Sequence, residues 1–321
     1  GISQIQSDLD ILNDNSTINL INYDGYVDLN GELYINGGTM NVYGGTTPSY
    51  WPYDADAVIN MSGGVLDFHD QGIYVFATPT YSVTDNFLGG TVKTSQGFLG
   101  TRSDFTPTGG TFEFYGTDDF LITQSNGSTL YNVNINKSGG KGSSLPPGIP
   151  VIDPRSKKIL SDGGKSNTSI LGSDFVITNN LTITNGELKL SGYELTVDRN
   201  CYVYGTLTMD NSTDVLNVGE EYNSDVIAFN DGSTANLQFG TINNYGWVIP
   251  YYGCSFNAST NNTIVCKGVA GGGITNYEPS ATYGNVVIDK VANQQTYIGE
   301  NASESIVVNG SFTINPGNIF K

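Results

Sequence analysis

The chain has 321 residues, of which 41 are glycine and 20 are tyrosine, and it carries a formal net charge of −18 at pH 7. A charge of this sign excludes the basic surface that nucleic-acid binding requires, and it disfavours docking on an anionic membrane face. No run of about 18 apolar residues occurs, so the sequence predicts no membrane span.

The composition favours an all-β chain. Asn, Ser, Thr, Gly and Tyr are abundant, and these residue types prefer strands and turns over helices. The hydrophobic fraction is 38%, which is below the roughly 45–50% of typical globular domains. A length above about 250 residues exceeds one compact core. These values favour a thin repeat architecture, with much surface for each residue.

Glycine pairs punctuate the first third of the chain. They begin at Gly37, Gly63, Gly89 and Gly109, at spacings of 26, 26 and 20 residues, and alternating apolar residues flank them. Two adjacent glycines supply the positive φ of a sharp corner, and alternation turns every second side chain inward. One coil alone cannot bury those side chains, whereas stacked coils can. The sequence therefore predicts a right-handed parallel β-helix, or β-solenoid, with one turn for each copy and with loop insertions.

Within these copies the alternation assigns an inner and an outer face. Met40 and Val42 are predicted to point inward in the first copy, and Phe112 and Phe114 in the fourth. The alternative fold is an antiparallel β-sandwich array, because dipeptides such as Asn185-Gly186 form tight hairpins.

Three segments follow along the chain. Residues 1–137 are predicted to form irregular coils with Gly-Gly turns, and residues 173–321 to continue the solenoid as one continuous rod. Residues 138–172, rich in Pro, Gly and Lys, are expected to leave the rod, because proline blocks ladder hydrogen bonds. Six of the 13 basic residues lie within 137–165. This basic arm is either a solvated loop or a clamp on an acidic surface.

Two blocks of sequence recur over a longer range. Residues 130–137, Leu-Tyr-Asn-Val-Asn-Ile-Asn-Lys, are similar to residues 283–290, and residues 175–183 are similar to residues 306–314. The second block continues through residues 177–197 with the spacing Leu-Thr-Ile-x-x-Gly-x-Leu-x-Leu-x-x-x-x-Leu-x-Val.

This order of motifs resembles repeats in very large secreted β-helical surface proteins of Bacteroidota and related bacteria. The resemblance covers residues 129–321 well and the first half loosely. It implies an extracellular, adhesin-like β-helical stalk on a cell surface, and it brings no catalytic residues.

The sequence gives little support to an enzyme. Glycosidic hydrolysis needs two carboxylates placed across the bond, and the one adjacent pair, Asp118 and Asp119, is expected to point to opposite faces of a strand. The only histidine, His69, follows the inward Phe68 and is expected to face solvent at a coil corner. No Gly-x-Ser-x-Gly motif accompanies it.

Two aromatic clusters interrupt the regular pattern and are candidate glycan-binding sites, because exposed rings beside polar groups stack on sugars. The alternative is that the rings cover the side of the rod. The candidate residues are Tyr50, Trp51, Tyr53 and Asp54 in the first cluster, and Tyr245, Trp247, Tyr251 and Tyr252 in the second.

Three cysteines are too few for a disulfide framework. Cys254 and Cys266 could form one bridge, or they could be buried thiols like Cys201. No Cys/His cluster indicates zinc. The acidity could collect Ca²⁺, but no calcium-loop spacing is present. The sequence thus predicts no cofactor.

Together these features predict a non-catalytic, structural or adhesive segment of an extracellular surface protein or filament. The alternative is a carbohydrate-binding or polysaccharide-processing β-helix. The chain begins at Gly1 without a leader, which indicates processing or a longer parent. Residues 312–320 still resemble a strand and no polar capping coil is evident. Neighbouring domains, or further copies of the chain, are therefore the expected partners at the ends, and environmental glycans are the expected partners along the side.

Overall fold

The structure is a computed structural model, and its regular elements are all β-strands within the residues that it describes. Those residues divide into two compact units, residues 1–173 and 174–321. The described ranges are 3–5, 9–11, 16–21, 27–29, 32–43, 57–69, 72–75, 83–100, 102–125, 127–138, 167–221, 225–269, 271–291, 295–299, 305–316 and 319–320.

Unit 1 contains sixteen strands in its described residues. They are β1 Ser3–Ile5, β2 Leu9–Ile11, β3 Thr17–Ile21, β4 Val27–Leu29, β5 Glu32–Ile35, β6 Thr39–Tyr43, β7 Ala57–Met61, β8 Val65–Asp67, β9 Ile73–Val75, β10 Val83–Phe87, β11 Thr91–Thr94, β12 Phe98–Gly100, β13 Thr111–Gly116, β14 Phe120–Thr123, β15 Asn132–Lys137 and β16 Thr168–Leu171.

The strands of unit 1 pair in parallel with strands of the next coil. Sheet 1A has the order β3-β6-β8-β11-β13-β15, sheet 1B the order β2-β5-β7-β10, and sheet 1C the order β9-β12-β14-β16, while β1 pairs with β4. In sheet 1A, Thr39 lies opposite Val65, Val65 opposite Thr91, and Thr91 opposite Thr111. These register steps of 26, 26 and 20 residues equal the glycine spacing in the sequence.

The glycine pairs form a column of corners. The second glycine of each pair has a positive φ, for example 71° at Gly64 and 77° at Gly90. The carbonyl of Gly38 accepts a hydrogen bond from Val65 N–H (2.9 Å), and that of Gly64 from Thr91 N–H (2.9 Å). A Cβ on Gly64 would lie 2.7 Å from the Gly37 carbonyl oxygen. Only glycine fits this corner, so the predicted role of the pairs is confirmed.

Phenylalanine fills much of the interior of unit 1. Phe105 contacts the rings of Phe87, Phe98 and Phe112 at centroid distances of 5.9, 6.1 and 6.0 Å. The predicted inward residues Met40, Val42, Phe112 and Phe114 are all 2% exposed or less. A small apolar void of about 10 Å³ remains beside this cluster. It is lined by Ile59, Leu66, Phe68, Ile73, Val75, Phe87, Val92, Phe105 and Phe112.

Unit 2 contains twenty strands in its described residues. They are β17 Phe175–Ile177, β18 Leu181–Asn185, β19 Glu187–Lys189, β20 Glu194–Val197, β21 Cys201–Val203, β22 Thr206–Met209, β23 Val215–Val218, β24 Val226–Phe229, β25 Thr234–Leu237, β26 Gly240–Asn244, β27 Trp247–Pro250, β28 Ser255–Phe256, β29 Asn262–Gly268, β30 Gly272–Ile274, β31 Thr282–Tyr283, β32 Asn285–Lys290, β33 Gln295–Ile298, β34 Val307–Val308, β35 Phe312–Ile314 and β36 Ile319–Phe320.

Unit 2 repeats the same construction. Sheet 2A has the order β18-β21-β24-β27-β30-β33-β36, sheet 2B the order β19-β22-β25-β28, and sheet 2C the order β17-β20-β23-β26-β29-β32-β35, while β31 pairs with β34. All of these pairs are parallel. The inward residues are mostly aliphatic, and Leu195, Val197, Leu216 and Ile242 are 0% exposed.

The fold is therefore a parallel β-solenoid, as predicted, and the antiparallel alternative is wrong. Asn185 and Gly186 do not close a hairpin. Gly186, with a φ of 75°, is a corner between β18 and β19, which belong to different sheets. The reason is that a positive-φ glycine can turn a coil as readily as it turns a hairpin. Of the segment predicted to leave the rod, residues 168–171 form β16 in sheet 1C, and residues 139–166 lie outside the described residues.

The long-range sequence repeat does not return to the same face. The first block forms β15 in sheet 1A, whereas its counterpart forms β32 in sheet 2C. Both strands alternate inward and outward residues, and both end on a buried lysine, Lys137 and Lys290. The similarity therefore follows the alternation of a long strand and not a fixed position in the coil.

Candidate functional site

The residues predicted as glycan-binding have different fates. Tyr50, Trp51, Tyr53 and Asp54 lie outside the described residues. The residues of the second cluster lie at three separate places in unit 2. Trp247 lies on strand β27, Tyr245 precedes this strand, and Tyr251 and Tyr252 follow it.

Trp247 is on the outer face of sheet 2A. Its neighbour on β30 is Gly273, whose neighbour on β33 is Tyr297. Because glycine has no side chain, the rings of Trp247 and Tyr297 meet across it, with centroids 6.0 Å apart and planes 27° from parallel. This pair covers the backbone of Gly273.

Tyr251 and Tyr252 lie at the corner after β27. Tyr251 stacks on Tyr277, with centroids 5.4 Å apart and planes 11° from parallel. Tyr252 leans on the same ring at 6.5 Å and is 66% exposed. Tyr277 thus occupies one face of Tyr251, and Tyr252 is the most exposed of the predicted aromatic residues that the structure describes.

Tyr245 lines a cleft of about 590 Å³ at the carboxyl ends of the strands of sheet 2C. The cleft crosses the ends of five consecutively paired strands, β20, β23, β26, β29 and β32. At about 4.8 Å between strands, these five span about 19 Å. The cleft residues are Thr196, Asn217, Gly219, Glu220, Glu221, Tyr245, Lys267, Gly268, Asp289 and Val291.

Local hydrogen bonds shape this cleft. The turn after β23 reaches past β26, because the Glu221 carbonyl accepts a bond from Val269 N–H at 2.9 Å. Tyr245 N–H donates to the Val218 carbonyl at 3.0 Å. A Cβ on Gly268 would lie 3.2 Å from Tyr245 Cδ1, so the glycine leaves room for the ring.

A ladder of polar side chains runs along the outer face of sheet 2C to the cleft. Asn243 Nδ2 donates to Asn217 Oδ1 at 2.8 Å. Asn217 Nδ2 donates to Glu194 Oε1 at 2.7 Å and to Thr196 Oγ1 at 3.2 Å. Thr196 and Asn217 are therefore held in fixed orientations at the cleft wall.

Negative charge predominates in the cleft, where Glu220, Glu221 and Asp289 face a single ammonium, Lys267. Asp198 lies close by. Burial raises its pKa, the carboxylates of Glu220 and Asp225 raise it further, and Arg199 opposes them.

In unit 1, His69 belongs to a polar network on the outer face of sheet 1A. It follows β8 with a φ of 49°, and its ring stacks on Tyr43 at 4.1 Å. His69 Nε2 lies 3.0 Å from Asn41 Oδ1. Tyr115 Oη donates to Asp67 Oδ1 at 2.8 Å and lies 3.3 Å from His69 Nδ1. His69 is at a corner, as expected, but its ring is packed and only partly faces solvent.

Asp118 and Asp119 do not occupy a strand, contrary to the prediction. Gly116, with a φ of 88°, ends β13, so both aspartates lie in the bend before β14. Asp119 Oδ1 accepts a hydrogen bond from Thr168 N–H at 2.9 Å, and the Asp118 carbonyl accepts one from Lys137 Nζ.

Two cationic side chains are buried inside unit 1, and no sequence pattern predicts their burial. Lys137, which the sequence groups with the basic arm, is 0% exposed and lies 3.8 Å from the centroid of Phe120. Burial lowers the pKa of Lys137 to about 8, although Asp118 and Asp119 oppose the shift. Arg102 is 8% exposed and pairs with Asp85 and Asp104.

The three cysteines are buried free thiols, so the bridge that Cys254 and Cys266 could have formed is absent. Cys266 is an inward residue of β29 in sheet 2C, whereas Cys254 precedes β28 in sheet 2B. Burial raises the pKa of Cys201 and of Cys266 to about 12 and that of Cys254 to about 11.

Within the described ranges, no group of three His, Cys, Asp or Glu side chains is arranged to hold a metal ion. That part of the chain also contains no helix that could cross a membrane. Neither a protein-family model, nor a curated protein, nor a solved structure matches the chain.

Sequence reasoning singled out Tyr245 but missed the rest of the cleft. Glu220, Lys267 and Asp289 are separated by 22 residues or more in the chain, and only the register of sheet 2C brings them together. A usable signal was the acidic Glu220-Glu221 pair directly after an alternating strand.

Proposed function

We propose that the chain is a non-catalytic, structural or adhesive β-solenoid segment of an extracellular surface protein or filament. One observation carries this proposal. In each unit the inward faces of stacked parallel strands form an apolar interior, while amide, hydroxyl and carboxylate groups cover the outer faces. Such a construction gives stability through repetition of one coil.

Two contacts of the polar side chains support a non-catalytic role. His69 stacks on Tyr43, and Asp119 receives the Thr168 N–H. Both groups thus connect one coil to another, which is a structural use of residue types that could otherwise serve acid–base chemistry. The acidity of the chain, with a net charge of −18, suits a repeating surface that must stay dissolved.

Labelling of intact cells tests the surface role. Antibodies raised against the purified chain should bind unpermeabilised cells of the source organism, with gold particles outside the cell envelope in electron micrographs. Labelling that appears only after permeabilisation would contradict the proposal.

A degradation screen tests the non-catalytic part. The chain is incubated with a panel of polysaccharides, and new reducing ends and unsaturated products are measured. We expect no product above that of heat-denatured protein. Turnover that Asp198→Asn or His69→Gln abolishes would instead make the chain a polysaccharide-processing enzyme.

A further inference from the structure

We propose that the cleft at the end of sheet 2C binds a neutral polysaccharide, with the sugar chain running across β20, β23, β26, β29 and β32. This inference rests on the adhesive role proposed above and supplies the class of ligand. The volume of about 590 Å³ falls within the roughly 300–1,000 Å³ of sites that take small ligands.

The shape of the cleft favours an extended ligand. Its lining residues lie on β20, β23, β29 and β32 or directly follow the ends of β23, β26 and β32, so the lining extends across five neighbouring strands at about 4.8 Å for each strand. A compact metabolite would contact two or three of these strands, whereas a linear chain of sugars can contact all five. The span of about 19 Å accommodates several rings.

The side chains suit a sugar chemically. A sugar ring has an apolar C–H face and a rim of hydroxyl groups, and the Tyr245 ring offers an apolar body with a polar tip. The carboxylates of Glu220 and Asp289 accept hydrogen bonds from hydroxyls, and the Lys267 ammonium donates them. Val291, which is 47% exposed, adds apolar surface at one end.

The charge of the cleft further restricts the class of sugar that can bind. Three carboxylates and one ammonium leave an excess of two negative charges, which repels uronic-acid and sulfated chains. No ion pair holds Lys267 among the described residues, and its donors can turn to a ligand. Asp289 Oδ1 accepts a bond from Asn315 Nδ2 at 2.6 Å, which fixes this carboxylate in the wall.

The test is binding of the purified full chain to defined hexasaccharides. The neutral probes are β-1,4-glucan, β-1,4-mannan, β-1,4-xylan and α-1,4-glucan hexamers, and the anionic comparators are a galacturonate hexamer and a sulfated galactan hexamer. Affinity is measured by titration calorimetry. We expect at least one neutral hexamer to bind and the galacturonate hexamer to bind at least about tenfold more weakly, because like charges disfavour it.

Substitutions at Tyr245, with a control elsewhere, locate the site. Tyr245→Ala should lower the affinity for the neutral hexamer by about tenfold, because the stacking ring is lost. Tyr245→Phe keeps the ring, and its affinity should stay within about threefold of the wild type. Tyr204→Ala is the matched control, because it removes a tyrosine that is 48% exposed and lies outside the cleft, so it should leave affinity unchanged. If Tyr245→Ala does not fold, as judged by circular dichroism, Lys267→Ala takes its place with an expected loss of about fivefold.

A double substitution tests the charge argument. Glu220→Gln combined with Glu221→Gln removes two negative charges, so the galacturonate hexamer should gain at least about fivefold in affinity. The proposal is overturned if no neutral hexamer binds, if either anionic hexamer binds tightest, or if Tyr245→Ala and Tyr204→Ala behave alike. Surface labelling of cells without any glycan binding would reject the cleft proposal and leave the surface role intact.

Discussion

The interiors of the two units are filled by different apolar side chains. In unit 1, phenylalanine rings from several coils meet around Phe105, and a void of about 10 Å³ remains beside them. In unit 2, aliphatic residues such as Leu195 and Leu216 stack on equivalent positions of successive coils. Aromatic contacts also occur inside unit 2, where Phe256 meets Phe229 and Tyr283, but they are fewer among the described residues. The corner and the parallel ladder are therefore common to both units, whereas the kind of apolar residue inside varies.

The units also differ in the charge that they bury. Unit 1 holds Arg102 in contact with two carboxylates and Lys137 against a ring and carbonyl oxygens. In unit 2 the buried Lys290 lies near the Cys266 thiol, and burial lowers the pKa of Lys290. Lys137 Nζ donates to the carbonyl oxygens of Tyr115 and Asp118, so the end of β13 and the turn before β14 offer inward acceptors that this cation satisfies.

The largest expected effect comes from the aromatic cluster. Phe112→Ala removes a side chain that is 1% exposed and contacts the rings of Phe87 and Phe105. The free energy of unfolding, measured by urea denaturation, should fall by about 3–5 kcal/mol. The control is Phe239→Ala in unit 2, where the ring is 38% exposed and the loss should stay below about 1 kcal/mol. Equal losses would show that the cluster does not stabilise unit 1.

Corner glycines come next. Gly64→Ala adds a methyl group 2.7 Å from the Gly37 oxygen, at a φ of 71°, whereas Gly232→Ala has a similar φ of 77° and no atom within 4 Å. Both variants incur about 1–2 kcal/mol for the left-handed backbone. Gly64→Ala should lose about 2 kcal/mol more, because the stacked corner cannot relax. If the two variants have the same midpoint in urea, the stacked column is not a constraint.

The buried Lys137 gives unit 1 a distinctive pH dependence. Its pKa of about 8 in the folded chain lies below the ordinary value of 10.5, so the unfolded chain holds the proton more tightly. The contribution of Lys137 to the free energy of unfolding should therefore rise as the pH increases from about 8 towards 10.5, by about 1 kcal/mol for each unit.

The difference in the free energy of unfolding between the wild type and Lys137→Met isolates this effect, because the other titrating groups contribute to both chains. Among those groups the buried thiols act in the opposite direction, because the pKa of Cys201 rises from 9.0 to about 12 on folding. In urea denaturation the difference should grow by about 1 kcal/mol between pH 8 and 9, and the difference between the wild type and Lys189→Met, a surface control paired with Asp210, should stay constant. A difference between the wild type and Lys137→Met that does not change over this range would exclude a neutralising Lys137.

The smallest expected effect concerns the void. Val92→Ile adds one methylene group next to it and should change the free energy of unfolding by less than about 0.5 kcal/mol. Val203→Ile in unit 2, where Val203 is 0% exposed, should cost about 1–3 kcal/mol by overpacking. The comparison is made by measuring the midpoint of thermal unfolding for each variant and for the wild type. The reverse order would place the looser interior in unit 2.

The sequence predicts the local geometry of both units well. The inward positions of Met40 and Phe112 follow from alternation, and the corners at Gly38 and Gly64 follow from glycine, the residue that adopts a positive φ most readily. Such features depend on residues only a few positions apart in the chain, and they can therefore be predicted from the sequence.

Long-range features could not be predicted in this way. Trp247 and Tyr297 are 50 residues apart and meet because Gly273 lies between them in register. Lys137 is buried although lysine is almost always exposed. The cleft depends on five strand ends whose register a single sequence does not specify.

The central claim is that neighbouring strands run parallel, and paired cysteines test it directly. In a background with Cys201, Cys254 and Cys266 replaced by alanine, parallel register places Glu194 opposite Val215 and Thr196 opposite Asn217. The outward pairs Glu194→Cys with Val215→Cys and Thr196→Cys with Asn217→Cys should both form disulfides on mild oxidation, because the Cα atoms of neighbouring strands lie about 5 Å apart. The crossed pairs, 194 with 217 and 196 with 215, should stay reduced. Crosslinking of the crossed pairs in preference to the direct ones would mean antiparallel strands and would contradict the solenoid.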